Sequence, residues 1–250
     1  MTEALVHMHG WLGTGLQDVT SDLSALDGAG RWFVVAPFDG PVLALRFEHW
    51  SQQPPPSAEW AGRFGWVSDR DRAHHVAAVG SVRGEIAAGN VYQANLCRLL
   101  SAPAASDDSL LGLYNSILAN HPAPHAAYVS VVDARVRRIL GYDLEVASAS
   151  PELALGRAGR RLHSSPIKGT RPTGGSFAEK DSAENVMIVD LVRNDLSRVC
   201  VPGTVAVSEL LQTVHQPGLD HLQSTVNGEL AEGSGWQSIL DAVLPAGSIS

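Results

Sequence analysis

The run Glu179 to Val199, the clearest helix in the chain and closed by Pro202-Gly203, is enclosed by extended stretches, and this arrangement limits the fold more than any other feature. Extended pieces follow it, roughly Thr204 to Thr213 and His221 to Leu230, and a short helix is predicted over Trp236 to Val243. Upstream, Trp32 to Pro37 and Pro41 to Phe47 flank Asp39-Gly40 and read as a hairpin. Tyr128 to Val132 and Val136 to Tyr142 flank Asp133-Ala134 and read as a second, followed by an extended stretch ending at Ser150. Hairpins interleaved with a few helices predict an α+β fold, antiparallel sheets with flanking helices, rather than a regular βαβ repeat.

Between Asp71 and Ala88, apolar residues recur at Val76, Val79, Val82 and Ile86, which is the helical period, and Gly89 is placed as the stop. A strand is predicted next, Val91 to Leu99, with Gln93, Asn95 and Cys97 on one face. Gln52 to Ser57 holds three consecutive prolines, Pro54 to Pro56, and reads as a stiff loop. No repeat of fixed period is visible. One domain is expected.

Composition narrows the function classes. With 44% hydrophobic and 18% charged residues in 250, the chain is an ordinary globular protein. A net charge of −8 without any Lys/Arg-rich run argues against a nucleic-acid partner or an anionic membrane surface. No apolar run reaches membrane-spanning length, and Met1 to Trp11 lacks a basic segment followed by an apolar one, so the cytoplasm is the expected location. Cys97 and Cys200 have neither zinc-site spacing nor disulfide-scaffold density and read as reduced thiols.

The most reactive-looking segment runs from Ser165 to Gly174, where Lys168 precedes Gly169, Thr170 and Arg171. The order is wrong for a Walker loop, because no glycine lies five residues ahead of the lysine. By spacing alone Lys168 reads as a solvated lysine; a nucleophilic amine would need burial or nearby cations. Glu184 and Asp195 fall on one helical face but eleven residues apart, about 16 Å along the axis, so they cannot share an ion. Glu184 alone reads either as a metal carboxylate or as a surface residue near the helix N-terminus. His221, at the head of an extended run, is an acid, a base or simply a hydrogen-bonded ring. Glu152 follows Ser150-Pro151 and either caps the turn or meets Lys168 across a hairpin.

Five segments in order carry a resemblance: Gly89-Asn-Val-Tyr-Gln-Ala-Asn-Leu96, Ser148-Ala-Ser-Pro-Glu152, Pro166-Ile-Lys-Gly-Thr-Arg171, Glu184 through Leu196, and His221-Leu-Gln-Ser-Thr-Val-Asn-Gly228. From about Asp71 to Ser250 the chain resembles the chorismate-binding family of anthranilate, aminodeoxychorismate, isochorismate and salicylate synthases. Residues 71–250 would then be its catalytic region, and residues 1–70 a divergent N-terminal part of the same fold. Lys168 in the Pro-Ile-Lys-Gly-Thr form is similar to the aminodeoxychorismate branch. Gln93 stands where water-using relatives place a lysine, which favours ammonia chemistry.

The resemblance implies roles. Lys168 would attack C2 of chorismate, Glu152 would protonate the leaving C4 hydroxyl, and His221 would interact with the ring or its substituents. Gly169 and Thr170 would contact substrate, and Glu184 would be one ligand of a Mg²⁺ ion. Ammonia would come from a separate glutamine amidotransferase subunit. The product, 4-amino-4-deoxychorismate, belongs to 4-aminobenzoate and folate biosynthesis; an anthranilate synthase large subunit and an inactive, partner-binding remnant are the alternatives. Leu244 to Ser250 is similar to the start of a later family motif, so the fold is expected to be incomplete at the C-terminus, with exposed apolar surface.

Overall fold

The computed structural model describes residues 4–60, 65–103 and 109–247. In chain order the N-terminal part contains β1 (Leu5–Met8), β2 (Trp11–Thr20), a 3₁₀ turn (Leu23–Asp27), β3 (Trp32–Val35) and β4 (Leu43–Gln52). There follow β5 (Val67–Ser68), α1 (Arg72–Ala87), β6 (Leu100–Ser101), α2 (Leu110–Asn120), β7 (His125–Val131), α3 (Ala134–Leu140) and β8 (Leu144–Ser150). The remainder is β9 (Leu153–Ala158), β10 (Arg161–Ser165), β11 (Ile167–Pro172), α4 (Glu179–Ser197), β12 (Ala206–Gln216), β13 (Leu219–Glu229) and α5 (Trp236–Val243). Among the described residues no helix is long and apolar enough to cross a membrane.

Two large antiparallel sheets result, as the hairpin pattern predicts, with β5 and β6 forming a separate two-stranded one. The first has the order β3-β4-β2-β1-β7-β8. In it the predicted hairpin is present, with Phe33 opposite Leu45 and Val35 opposite Leu43. Its core gathers Val6, Leu43, Leu45, Phe47, Val129, Val131 and Leu144 with Val136 of α3. In the second sheet β13 is central: β12 lies on one side, and on the other β10 and then β11 run along it, with β9 beyond β10. One face of this sheet packs on α4, burying Leu162, Val226 and Leu230 with Ile188, Val189, Val192 and Leu196, and α5 adds Ile239 and Ala242.

Both α4 and α5 occupy the spans their periodicity predicts. The N-terminus of α5 is capped from far away: both carboxylate oxygens of Asp27 lie 3.2 Å from the Trp236 amide nitrogen. Gly235 is required there, since a Cβ would fall 2.2 Å from Asp27 Oδ2. This contact ties the first sheet's 3₁₀ turn to the second sheet's helix.

Three expectations are corrected. Val136 to Tyr142 is not a hairpin arm, because Asp133 accepts from the Arg135 amide at 2.7 Å and nucleates α3, which Gly141 closes at φ +86°. The hairpin partner of β7 is instead β8, with Val129 opposite Val146. Val91 to Leu99 is irregular rather than a strand and is largely exposed. The predicted α1 forms, capped by Asp71 on the His74 amide at 2.8 Å, yet buries no residue and leaves Val76, Val79 and Ile86 exposed. The last three residues of the Leu244 to Ser250 segment lie outside the described residues.

What joins helix to sheet is polar. Asn185, fully buried on the apolar stripe of α4, donates through Nδ2 to the Leu222 carbonyl at 3.0 Å and accepts at Oδ1 from Ser224 Oγ. Ser224, also fully buried, accepts at Oγ from the Leu211 amide of β12 at 3.0 Å, and its own amide donates to the Pro166 carbonyl at 3.1 Å. Removing the amide would strand a carbonyl and a hydroxyl without water. Asn185→Ala is therefore expected to lower unfolding free energy by about 2–4 kcal/mol, read as the shift in urea midpoint. A change below about 0.5 kcal/mol would show that the network is dispensable.

Candidate active site

The Pro166 to Arg171 motif forms the edge of the second sheet and contains a bulge. Ile167 faces Gln223 and Thr170 faces His221, so Lys168 and Gly169 together stand opposite the single residue Leu222. Gly169 takes φ +90°, and a Cβ there would lie 2.8 Å from the Cβ of Asp181 in the first turn of α4. The glycine thus lets the strand and the helix start touch. Asp181 itself accepts from the Ala178 amide at 2.9 Å, fixing that helix start.

Beyond the bulge two of the candidate residues, Thr170 and His221, meet. His221 is 5% exposed, and its Nδ1 lies 2.9 Å from Thr170 Oγ1 across the strands. Alternation along β13 separates the faces: Leu222, Ser224 and Val226 are buried, while His221, Gln223 and Thr225 point the other way. Burial leaves the imidazole few partners besides Thr170, which holds the ring in one orientation.

Glu152 sits where the chain crosses from β8 of the first sheet to β9 of the second. The turn is made by Ser150 rather than by the glutamate, because Ser150 Oγ accepts from the Glu152 amide at 3.3 Å and donates to its carbonyl at 3.1 Å. Leu153 pairs with Ser165, so the β9–β10 hairpin ends short of Lys168. What it does achieve is to bring Glu152 beside Pro166. Both line a narrow cleft, of about 20 Å³, with Ser164, Val192, Asp195 and Gly247. Burial raises the Asp195 carboxyl above its ordinary value.

Glu184 is half-buried on α4, three residues after Asp181, and so shares the helix surface that abuts the Lys168-Gly169 bulge. It does not line the cleft of Glu152 and Asp195. The buried stripe of the helix runs through Asn185, Ile188, Val189, Val192 and Leu196, and Leu191 of the expected face is exposed. Among the described residues no group of three or more His, Cys, Asp or Glu side chains could hold a metal.

Three of the five motifs that resemblance singled out lie on β11, α4 and β13, a fourth ends at Glu152 in the carboxylate-lined cleft, and Gly89 to Leu96 lies outside these elements. A family model described as chorismate binding enzyme matches residues 39–250. The chain belongs to the chorismate-binding enzyme family. It is 37% identical over 201 residues to anthranilate synthase component 1 of Streptomyces coelicolor, covering 76% of this chain and 37% of that protein. Aminodeoxychorismate synthase component 1 of Bacillus subtilis is 32% identical over 185 residues, covering 69% of this chain and 37% of its own. Among solved structures, a Bacillus anthracis protein described as a 2,3-dihydroxybenzoate-specific isochorismate synthase superposes with a TM-score of 0.75 at 20% identity, over 100% of this chain and 74% of that one. That likeness supports the fold, and the chain spans little more than a third of the length of these two sequence relatives.

Sequence reasoning missed Asn185, Ser224 and Asp220, and weighed Asp195 only as a partner of Glu184 for an ion. A signal existed for the first two. Asn185 precedes Ile188, Val189 and Val192 at helical spacing, and Ser224 alternates with Leu222 and Val226, so each lies on a face destined for burial.

The raised Asp195 pKa has a testable sign. A carboxyl whose folded pKa exceeds its unfolded value contributes stability at low pH and loses it as pH rises through the folded value. Asp195→Asn should consequently stabilise the protein at neutral pH and flatten the decline above the ordinary carboxylate pKa, in urea midpoints measured from acid to neutral pH. Destabilisation at pH 7 equal to that at low pH would contradict this assignment.

Proposed function

We propose that the chain carries the chorismate-converting chemistry of an aminodeoxychorismate synthase. The observation that supports this most is the placement of Lys168, held in the bulge beside the Thr170–His221 pair and two residues from Pro166, which shares the Glu152 cleft. The Bacillus subtilis relative bears that name. In this reading the Lys168 amine forms a bond to C2 of chorismate as both ring double bonds shift and the C4–O bond breaks, and Glu152 gives its proton to the departing hydroxyl. Ammonia then bonds to C4, both double bonds return, and the lysine amine is expelled. His221, oriented by Thr170, contacts the substrate, and the backbone at Gly169 lies against it. Glu184 is proposed as one ligand for Mg²⁺. A glutamine amidotransferase subunit would deliver the ammonia, in the cytoplasm.

Anthranilate synthase is the second reading, favoured by the 37% identity to the Streptomyces coelicolor protein. The two differ in product. With chorismate, Mg²⁺ and ammonium, mass spectrometry should find aminodeoxychorismate, and Lys168→Ala should lower its formation at least about 100-fold. Anthranilate as product, or full activity in the alanine variant, would overturn the aminodeoxychorismate assignment.

A further inference from the structure

β11 is the strand on which the site depends, and it has two reasons to slip. It is an edge strand, and its bulge already departs from regular pairing. A one-residue shift would turn Thr170 away from His221 and exchange the faces of its neighbours.

Directly behind the Thr170–His221 pair, the next register position pairs Arg171 with Asp220, and Asp220 pairs in turn with His215 of β12. Asp220 is 1% exposed, so its charge must be satisfied by the chain. Its Oδ2 accepts from Arg171 Nε at 3.2 Å and from the Gly174 amide at 3.3 Å, and its Oδ1 lies 2.6 Å from His215 Nδ1. The guanidinium is held on its remaining sides by the Gly175 carbonyl and by the Phe177 ring, 4.1 Å below it. Arg171 is thus held on both edges of its guanidinium by groups of its own chain. A buried, directional ion pair adds little net stability compared with an apolar pair of the same shape, but it tolerates only one register.

We propose that Asp220 is a positioning residue: with Arg171 it locks the register of β11, keeping Thr170 opposite His221 and Lys168 in the bulge. The functional consequence rests on the chorismate reading above; the lock itself does not. Neither residue touches the reacting atoms. The clamp also draws in the loop between β11 and α4 through Gly174, Gly175 and Phe177, so strand register and helix start are set together.

The test replaces both charges by apolar side chains, Arg171→Met with Asp220→Leu. Thermal melting, amide hydrogen exchange by NMR at Ile167 to Arg171 and at His221, and chorismate titration are then compared with the unaltered chain. A lock predicts a cooperative melt near the original midpoint, exchange faster by about tenfold or more in β11 with a second set of Thr170 and His221 resonances, and chorismate binding weakened by a similar factor. Unchanged exchange and a single resonance set in the folded double variant would overturn it. Should that variant fail to fold, Arg171→Lys keeps the charge without the fork; faster β11 exchange supports the lock and unaltered exchange refutes it. If the original chain does not bind chorismate, the functional reading fails, while the exchange comparison still decides the lock.

Discussion

Asn185 couples three pieces of chain that nothing else brings together at one point. Its amide binds the Leu222 carbonyl and the Ser224 hydroxyl, and Ser224 in turn holds β12 at Leu211 and the bend at Pro166. An apolar residue at this position would pack α4 on the sheet with comparable burial, but it would leave the helix free to slide along β13. Fully buried hydrogen bonds are directional, so α4 is fixed against Leu222, the residue that faces the Lys168-Gly169 bulge. From that anchor follow the closeness of Gly169 to Asp181 and the placing of Glu184 on the same helix surface.

The central strand separates two kinds of work. One face of β13 is buried on α4 and carries the anchor, while the other presents His221 to Thr170. Bulges on both flanking strands interrupt the pairing, one opposite Leu222 in β11 and one opposite Ser224 in β12, where Leu211 takes φ +56°. Irregular backbone of this kind persists only where the surroundings hold it, and here the polar network and the Arg171–Asp220 pair do so.

Elements with strong internal signals were legible from sequence. α4 and α5 have helical periodicity and clear ends, the β3–β4 hairpin has turn residues between apolar runs, and the stretches that form β12 and β13 read as extended, though not as a hairpin. Segment 134–140 was misread because Val136 and Ile139 suggest a strand, while Asp133 and Gly141 supply a helix cap and stop that the β-propensity reading overrode. Val91 to Leu99 alternates correctly but is irregular and largely exposed, and alternation alone cannot make a strand. Candidate site residues were legible mainly through motif order. Their supports were not, since the roles of Asn185, Ser224 and Asp220 depend on contacts 37 to 49 residues distant in sequence.

The account's central claim is that Glu152, Lys168, Thr170 and His221 belong to one chorismate site built on β11 and β13. Titrating chorismate into isotope-labelled protein and following backbone and imidazole resonances tests it directly. The account predicts shifts concentrated at Glu152, at Pro166 to Thr170 and at the His221 ring, with the first sheet's core unmoved. Shifts confined to other surfaces, or a His221 ring that does not respond at saturating chorismate, would contradict it.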